Sequence, residues 1–392
     1  VLYETSTWVS SSRFSRDGRR IGFIDHPLGG DNRGRIAVVD LDGKMKVLTE
    51  PFNSAEGLAW SPDGSEIWFS AGKTGNLLSL YAVDLAGHLR MVAGMPVSLS
   101  LYDVAANGRI LVARNNWRRG ILGLAPGETV ERDLSWLDWT RPSDLSADGR
   151  NLLFDEQGQG GGPAYSVYLR KTDGSPAVKL GEGYSLGISP DGRWAATTPV
   201  DNADRITFVP TGAGEATMVP LAGLSVATVN WHPDGRRLLI SAAEPGHLPR
   251  MFSIEQDGGT PKPFSEEESG IHGAISPDEK GVAVASRSGP GRIMPFDGGQ
   301  ARPLPGVNAG DFILRYSDDG RAVFVTRPSG LPARIERVDV ATGQRTLTHE
   351  VMPIDRAGLV DVGYFQIAAD GRSYAYSYRR NVSTLYVGTG VR

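Results

Sequence analysis

The stretch Trp60-Ser-Pro-Asp-Gly64 recurs along the chain in nine variants. The copies end at residues 18, 64, 108, 149, 192, 235, 279, 320 and 371. Successive copies are therefore 41 to 51 residues apart. Proline presets one backbone angle and glycine accepts the left-handed conformation, which predicts a tight turn in each repeat. A turn signal at this period is typical of a β-propeller, in which each repeat forms one blade.

Residues 57–93 show the content of one repeat. Apolar segments at 57–60, 66–70, 77–83 and 89–92 are separated by polar turns. Aromatic and β-branched residues are frequent in these segments, as they are in β-strands. We find no apolar period of 3.6 residues sustained over three turns, so no long helix is expected. The sequence therefore predicts an all-β fold of four-stranded antiparallel blades.

Two positions of the repeat have predicted structural roles. The residue three places before the turn Asp or Asn is apolar in every copy, from Phe14 to Ile367. We expect this side chain to pack between neighbouring blades, because a single blade cannot bury both of its faces. The turn aspartates are expected to cap backbone N–H groups, since similar acids placed all around a ring cannot all be catalytic.

The two chain ends predict how the ring closes. The ninth repeat supplies strands at 364–367, 373–378 and 384–387 but has no fourth strand, and Val1 to Thr5 has no blade of its own. Adding residues 1–5 to the last blade would cover an exposed sheet edge. We therefore predict a single β-propeller domain over residues 1–392. Nine blades are expected, with eight as the alternative, and the N-terminal strand closes the ring.

Composition excludes several classes of function. A net charge of -4 over 392 residues argues against a nucleic-acid partner. The chain has no Cys, so disulfides, thiolate metal sites and a Cys nucleophile are excluded. No apolar run is long enough to cross a bilayer, and we find no targeting signal. We expect a monomer that needs no cofactor and no metal.

The repeat phrase and the C-terminal segment resemble known families. The phrases at 60–64, 188–193 and 231–236 resemble the WD40-like repeat of the TolB propeller. The segment from Gly371 to Val387 resembles the end of propellers in large bacterial serine/threonine protein kinases of the acidobacterial type. In that family a kinase domain and a membrane helix precede an extracytoplasmic propeller. The resemblance implies a periplasmic or extracytoplasmic sensor or interaction domain, and the chain itself carries none of the kinase motifs.

Two apparent catalytic motifs have structural explanations. Gly183-Tyr-Ser-Leu-Gly187 matches the Gly-x-Ser-x-Gly nucleophile pattern, but a repeat turn follows it where that motif requires a helix. None of the six His residues stands at metal-ligand spacing. His232 takes the Ser position of its turn, so we expect a local structural role. His272 precedes a first strand and is the only His expected to face the central funnel.

Function is expected on the loops that lead into the first strands, because these loops differ between repeats. The stretches 115–119 and 135–141 are interpreted as loops that carry Trp and Arg, a combination that favours a binding surface. The candidate ligand-binding residues are Glu56, Trp139, Arg141, Tyr184, His272, Asp311 and Asp361. Their mixture of charge and aromatic character suits a protein, a peptide, a glycan or a small polar ligand at the funnel.

Three functions stay open on the sequence alone. The first is a non-catalytic ligand- or protein-binding propeller, which acts as the sensor domain of a receptor-like kinase. The second is a propeller-type hydrolase or lyase, with His272 and carboxylates of the funnel in its site. The third is a protein-interaction scaffold that binds its partner through the outer or top face of the ring, which a pull-down dependent on Trp139 and Arg141 would support.

Overall fold

The computed structural model describes residues 1–5, 7–267, 272–285, 289–327 and 330–390; the side chain of His272 is not described. The described chain consists of β-strands joined by turns, with one short 3-10 helix, Gln159–Gly161. The predicted all-β class is therefore confirmed. Within the described ranges, no helix has the length and hydropathy needed to span a membrane.

The strands form antiparallel sheets, most of them with four strands in chain order. The first two sheets contain β1 (Trp8–Phe14), β2 (Arg20–His26), β3 (Arg35–Asp40), β4 (Met45–Val47), β5 (Ser54–Trp60), β6 (Glu66–Gly72), β7 (Ser79–Asp84) and β8 (Leu89–Ala93). Next along the chain are β9 (Ser98–Val104), β10 (Ile110–Leu124) and β11 (Arg132–Asp133).

Five more four-stranded sheets follow along the chain. They contain β12 (Thr140–Leu145), β13 (Asn151–Glu156), β14 (Ser166–Lys171), β15 (Val178–Glu182), β16 (Tyr184–Ile188), β17 (Trp194–Thr198), β18 (Arg205–Pro210), β19 (Thr217–Pro220), β20 (Ser225–Trp231), β21 (Arg237–Ala243), β22 (Arg250–Glu255), β23 (Gly258–Pro263), β24 (His272–Ile275), β25 (Gly281–Ala285), β26 (Arg292–Pro295), β27 (Arg302–Pro303), β28 (Phe312–Tyr316), β29 (Ala322–Thr326), β30 (Ala333–Asp339) and β31 (Arg345–Val351). The chain ends with β32 (Leu359–Ile367) and β33 (Tyr374–Gly388).

The turn phrase joins the first and second strands of each sheet, and its Asp has the predicted capping role. The Ser61 hydroxyl donates to Asp63 Oδ1 over 2.6 Å, and the same oxygen accepts the Ser65 N–H at 3.1 Å. These hydrogen bonds lower the pKa of Asp63 to about 2. The same Ser–Asp hydrogen bond recurs in the turns of Asp17, Asp148, Asp191, Asp278 and Asp319.

The apolar residue before the turn is buried in most repeats, as predicted. Trp60 is 3% exposed, and Leu145 and Ile367 are buried to a similar degree. The prediction is wrong for the first repeat, because Phe14 is 65% exposed at the end of a strand whose other residues are also largely exposed.

Contacts along the chain group into two compact units. The first unit contains residues 1–118, 157–163 and 380–392, and the second contains 119–156 and 164–379. Both β10 and β33 contain a boundary between the units. A single domain over the whole chain therefore stays a prediction.

The second unit has the arrangement of a β-propeller. Five of its sheets are the consecutive sheets that start with β12, β16, β20, β24 and β28. In its sixth sheet the strand order is β32, β33, β10 and β11. The six first strands contact one another in a closed circuit, because β32 packs against both β28 and β12. The predicted count of nine blades in one ring is not confirmed.

The predicted closure by residues 1–5 also differs from the structure. These residues lie outside any strand. Tyr3 packs its ring 5.3 Å from that of Phe23 and donates its hydroxyl to Asp25 over 3.2 Å. The sheet of the ninth repeat is completed instead by β10 and β11. The edge that seemed to need the N-terminal segment is thus already paired with a distant part of the chain.

Candidate functional site

A cavity of about 690 Å³ lies between the first strands of the second unit. Every one of the six first strands contributes to its wall, from β12 to β32. The volume falls in the range of roughly 300 to 1,000 Å³ that is usual for small-molecule sites. The closed circuit of strands is therefore what creates this cavity.

Part of the cavity wall is built from β-bulges. In β12, β16, β20 and β28 the pairing register shifts by one residue. The extra residues, Ser143, Leu186, Ala227 and Leu314, all line the cavity. Bulges redirect side chains and are frequent beside functional sites. Nothing in the sequence pattern marks these four positions.

An ion pair lies at the turn end of the cavity wall. Arg315 donates to Asp144 Oδ1 over 2.9 Å and to the Leu145 carbonyl over 2.6 Å. Asp144 Oδ2 accepts the Ile188 N–H at 2.9 Å. Burial raises the pKa of Asp144, and the guanidinium of Arg315 opposes that rise. This pair links β28 to β12 and satisfies polar groups at the end of the first strands.

Arginines and aromatic rings gather at the opposite ends of these strands. We call the group of Arg119, Trp139, Arg141, Asp155, Tyr184, Asp361, Tyr364 and Arg379 the arginine–aromatic cluster. Arg141 donates to both oxygens of Asp155, over 3.1 and 2.5 Å. Burial disfavours the charge of Arg141, but the facing carboxylate outweighs burial and raises the pKa of this guanidinium.

Asp155 and two tyrosines fix the position of Arg141. The Asp155 side chain is fully buried, and its Oδ2 also accepts the N–H and the hydroxyl of Ser185, at 3.1 and 2.8 Å. The Arg141 guanidinium lies over the ring of Tyr184 at 5.2 Å and that of Tyr364 at 5.7 Å. Ser185 is thus part of this support, and its strand β16 is followed by the repeat turn, as predicted.

Arg119 is the most unusual member of the cluster. It is only 9% exposed. Its guanidinium lies over the rings of Trp139, at 4.7 Å, and Tyr364, at 5.1 Å. In the described part of the chain, its Nε has no hydrogen-bond partner and its side chain forms no ion pair. Burial lowers the pKa of Arg119, and the charges of Arg379 and Arg141 act in the same direction.

Arg379 and Asp361 form the exposed edge of the cluster. Arg379 Nε donates to both carboxylate oxygens of Asp361, over 2.9 and 3.0 Å, and its Nη2 makes a further hydrogen bond to that carboxylate. These hydrogen bonds raise the pKa of Arg379 despite the opposing effect of burial. Asp361 therefore neutralises Arg379 in the same way that Asp155 neutralises Arg141.

The structure brings four predicted site residues together, namely Trp139, Arg141, Tyr184 and Asp361. Asp311 is instead buried in an ion pair with Arg327, at 2.8 Å, and with Arg345, at 2.7 Å. Glu56 belongs to the first unit. His272 begins β24, but its side chain lies outside the described part of the structure.

Sequence reasoning missed four members of the cluster: Arg119, Asp155, Tyr364 and Arg379. Arg119 belongs to the Trp- and Arg-rich stretch that the sequence suggests as a loop, yet β10 runs through it. Asp155, Tyr364 and Arg379 lie inside strands whose sequences predict ordinary blade strands. The charges of Asp155 and Arg379 are the signal that could have marked these two residues, and nothing in the sequence marks Tyr364.

One group of described side chains has the spacing of a metal site, but it already holds a cation. Ligand atoms of His232, Asp234 and Glu279 lie within 4.8 Å of one another. Arg237 donates to Asp234 Oδ2 over 2.7 Å and to His232 Nδ1 over 3.2 Å, and its Nη2 is 3.4 Å from Glu279. The guanidinium supplies the positive charge, which agrees with a local structural role for His232.

Comparisons with known proteins find similar structures only. No family model matches the chain, and no curated protein matches it. TolB from Acinetobacter baumannii has a TM-score of 0.32 and 14% identity, over 93% of this chain and 66% of its own. A prolyl endopeptidase has a TM-score of 0.40 and 15% identity, over 90% of this chain and 51% of its own. An oligogalacturonate lyase in complex with manganese has a TM-score of 0.42 and 16% identity, over 72% of this chain and 81% of its own.

These scores and identities are too low to carry an argument about this protein. This chain spans just under two thirds of the length of that TolB and about half of that prolyl endopeptidase. The propeller arrangement and the site therefore rest on the strand contacts and side-chain geometry of the chain itself.

Proposed function

We propose that the second unit is a non-catalytic ligand-binding propeller whose ligand occupies the cavity between the six first strands. The wider proposal is an extracytoplasmic sensor or interaction domain of a receptor-like serine/threonine kinase. That wider context depends on the resemblance of residues 371–387. The ligand site depends on the geometry of the second unit, so the two parts of the proposal are independent.

The cavity and the arginine–aromatic cluster at its strand-start end carry the proposal. Arg141 and Tyr364 belong to both, since they line the cavity and contact each other. Small-molecule sites typically combine apolar walls with a few convergent polar groups. The walls here include Leu186, Val229 and Leu314, and the polar groups that the cluster contributes to the lining are those of Arg141 and Tyr364.

The described lining residues favour binding over catalysis. They include no His, Lys or Glu, so no imidazole or amine base lies beside a hydroxyl among them, and their carboxylates are those of Asp144 and Asp318. Asp144 is engaged by Arg315, and the Ser185 hydroxyl donates to Asp155. The hydrolase or lyase alternative depends on His272 and on carboxylates of the funnel, and the side chain of His272 lies outside the described part of the structure.

Filling the cavity tests the proposal. Ala227 is an exposed bulge residue on the cavity wall, so Ala227→Trp should occupy the space without entering the packed core. Thermal melts would be recorded with a panel of amino acids, short peptides, sugars and organic acids. We expect one or more of these to raise the Tm of the wild type by several degrees, and to have no effect on Ala227→Trp.

Ala213→Trp is the matched control, because Ala213 is exposed in a loop away from the cavity lining. It should respond to the same compounds as the wild type. The proposal is overturned if no compound in the panel stabilises the wild type, or if the stabilisation survives in Ala227→Trp.

A further inference from the structure

The arginine–aromatic cluster has three guanidiniums and two carboxylates, and beside it the buried carboxylate of Glu156 accepts the N–H of Trp139 and the hydroxyl of Thr140. The three guanidiniums are those of Arg119, Arg141 and Arg379, and the two carboxylates are those of Asp155 and Asp361. Asp155 is engaged by Arg141, and Asp361 by Arg379. Arg119 is thus left without a carboxylate among the described residues.

A buried guanidinium cannot escape this situation by losing its proton, because Arg stays charged in proteins. Burying a charge without a counter-charge is strongly unfavourable. The rings of Trp139 and Tyr364 stabilise a cation through their faces. They do not supply oxygen acceptors for the N–H donors of the guanidinium. The two rings therefore stabilise the positive charge of Arg119, but the Nε–H of its guanidinium still lacks a hydrogen-bond acceptor among the described residues.

The backbone of Tyr364 places its ring against both arginines. Its φ is 49°, in the left-handed region that residues other than Gly rarely adopt. Ser11 and Gly57, which precede their turn phrases by the same interval, are also left-handed, with φ of 54° and 66°. The repeat thus allows this geometry, but here it carries a large ring that contacts Arg119 and Arg141 and lines the cavity.

We infer that Arg119, supported by Arg141 and the Tyr364 ring, binds the oxyanion of a small ligand, a carboxylate or a phosphate, while the rest of that ligand lies in the cavity. The inference deepens the proposed function and rests on it for the cavity part. The anion would supply the hydrogen-bond acceptors that the guanidinium of Arg119 lacks among the described residues. Guanidinium groups suit both kinds of oxyanion, because their donors match two oxygens at once.

Simple anions test the site without knowledge of the natural ligand. Thermal melts of the full chain would be recorded in sodium phosphate and in sodium acetate, each against sodium chloride of equal ionic strength. We expect at least one of the two oxyanions to raise the Tm of the wild type saturably by a few degrees. The oxyanion with the larger shift identifies the ligand group as phosphate or carboxylate.

Arg119→Met removes the charge and keeps most of the side-chain volume. In sodium chloride this variant should melt at a higher temperature than the wild type, because an uncompensated buried charge is gone. Its response to oxyanions should be at least tenfold weaker. Arg119→Lys keeps the charge without the fork of donors, and should show an intermediate response even if Arg119→Met fails to fold.

Arg150→Met is the matched control, because it makes the same change of charge at a side chain that is 74% exposed. It should respond to oxyanions like the wild type. The inference is overturned if the wild type shows no oxyanion effect beyond ionic strength, or if Arg119→Met or Arg119→Lys responds as strongly as the wild type.

The outcomes separate this inference from the proposed function. If Ala227→Trp abolishes binding of a panel compound that Arg119→Met binds normally, the result supports ligand binding in the cavity and contradicts the anion site at Arg119. If phosphate or acetate acts through Arg119 but no panel compound depends on the cavity, the result supports the anion site and contradicts ligand binding in the cavity.

Discussion

The two units are built from the same turn phrase but differ in how their first strands meet. In the second unit these strands close a circuit of six around a cavity. In the first unit, contacts link β1 to β5 and β5 to β9, and β1 is exposed along much of its length. The turn phrase therefore specifies a single sheet, whereas a cavity forms only where the first strands of several sheets close a circuit.

The units also differ in how they accommodate a buried ionisable group. In the first unit, Glu56 is largely buried and its carboxylate accepts the Ser100 hydroxyl. Burial raises the pKa of Glu56, and that hydrogen bond only partly opposes the rise. A carboxyl group can relieve burial by taking up a proton, but the Arg119 guanidinium of the second unit cannot lose one. Burial of Glu56 therefore requires no counter-charge, whereas Arg119 keeps its charge when it is buried.

Each unit also uses an arginine to satisfy carbonyl groups at the ends of its first strands. In the first unit, Arg16 donates to the carbonyls of Trp60, at 3.0 Å, and Ser61, at 3.3 Å. In the second unit, Arg315 bonds to Asp144 and to the Leu145 carbonyl. Buried carbonyl groups need partners in either arrangement. This feature is common to both units and is therefore not a sign of ligand binding.

The largest effect is expected from breaking the buried ion pair of the second unit. Asp155→Asn would leave Arg141 without its counter-charge, and should lower the free energy of unfolding by about 3 to 5 kcal/mol. Denaturant unfolding followed by tryptophan fluorescence measures this loss. Asp201→Asn, at an exposed position, should stay within about 0.5 kcal/mol of the wild type. Equal losses for the two variants would contradict the supporting role of Asp155.

A smaller effect is expected at the bulge of β5 in the first unit. Gly57 has a φ of 66°, and a Cβ there would lie 2.1 Å from the Leu101 carbonyl oxygen. Gly57→Ala should therefore lower the free energy of unfolding by roughly 2 to 4 kcal/mol, from backbone strain and overlap together.

Gly192, in a turn of the second unit, is the matched comparison. Its φ is 70°, but a Cβ there would meet nothing within 4 Å. Gly192→Ala should lower the free energy of unfolding by only about 1 kcal/mol, because strain alone is introduced. If the two substitutions are equally harmful in denaturant unfolding, the close packing at the β5 bulge is not what requires Gly57.

The smallest effect is expected at Glu56, and it should depend on pH. Because the pKa of Glu56 is raised on folding, the folded state loses stability as the pH rises above the ordinary pKa of a Glu side chain. Glu56→Gln removes this loss. It should stabilise the protein by on the order of 1 kcal/mol at about pH 7.5, and give little gain near pH 4.

Thermal melts at the two pH values measure the difference, with Glu50→Gln as the exposed control from the same unit. A pH-independent effect of Glu56→Gln would show that its carboxyl group titrates alike in the folded and unfolded states.

Much of the local structure could be predicted because it is encoded within short segments. The hydrogen bonds of the turn phrase join residues no more than five positions apart, as in the turn from Ser61 to Glu66. Strand segments follow from their β-branched and aromatic residues. The structural role of Ser185 was predictable for the same reason, since a repeat turn follows it directly.

The candidate site could be predicted only in part. Trp139, Arg141, Tyr184 and Asp361 lie near the starts of first strands, and such positions converge in a propeller. Asp311 occupies a comparable position, but its two arginine partners come from positions 16 and 34 residues later in the chain and use both of its oxygens. Which acid remains available for a ligand depends on such partners, and they are invisible in the pattern of repeats.

The all-β class, the repeat, the turns and their capping aspartates follow from the amino-acid sequence, because each of these depends on neighbouring residues. The folded chain was needed to show that six first strands close a circuit, that β10 and β11 complete the sheet of β32, and that Arg119 is buried with no carboxylate partner among the described residues. These features arise because the pairing of sheet edges and the loss of solvent depend on segments far apart in the chain. No local pattern records which edge meets which, or which charge is left over when they meet.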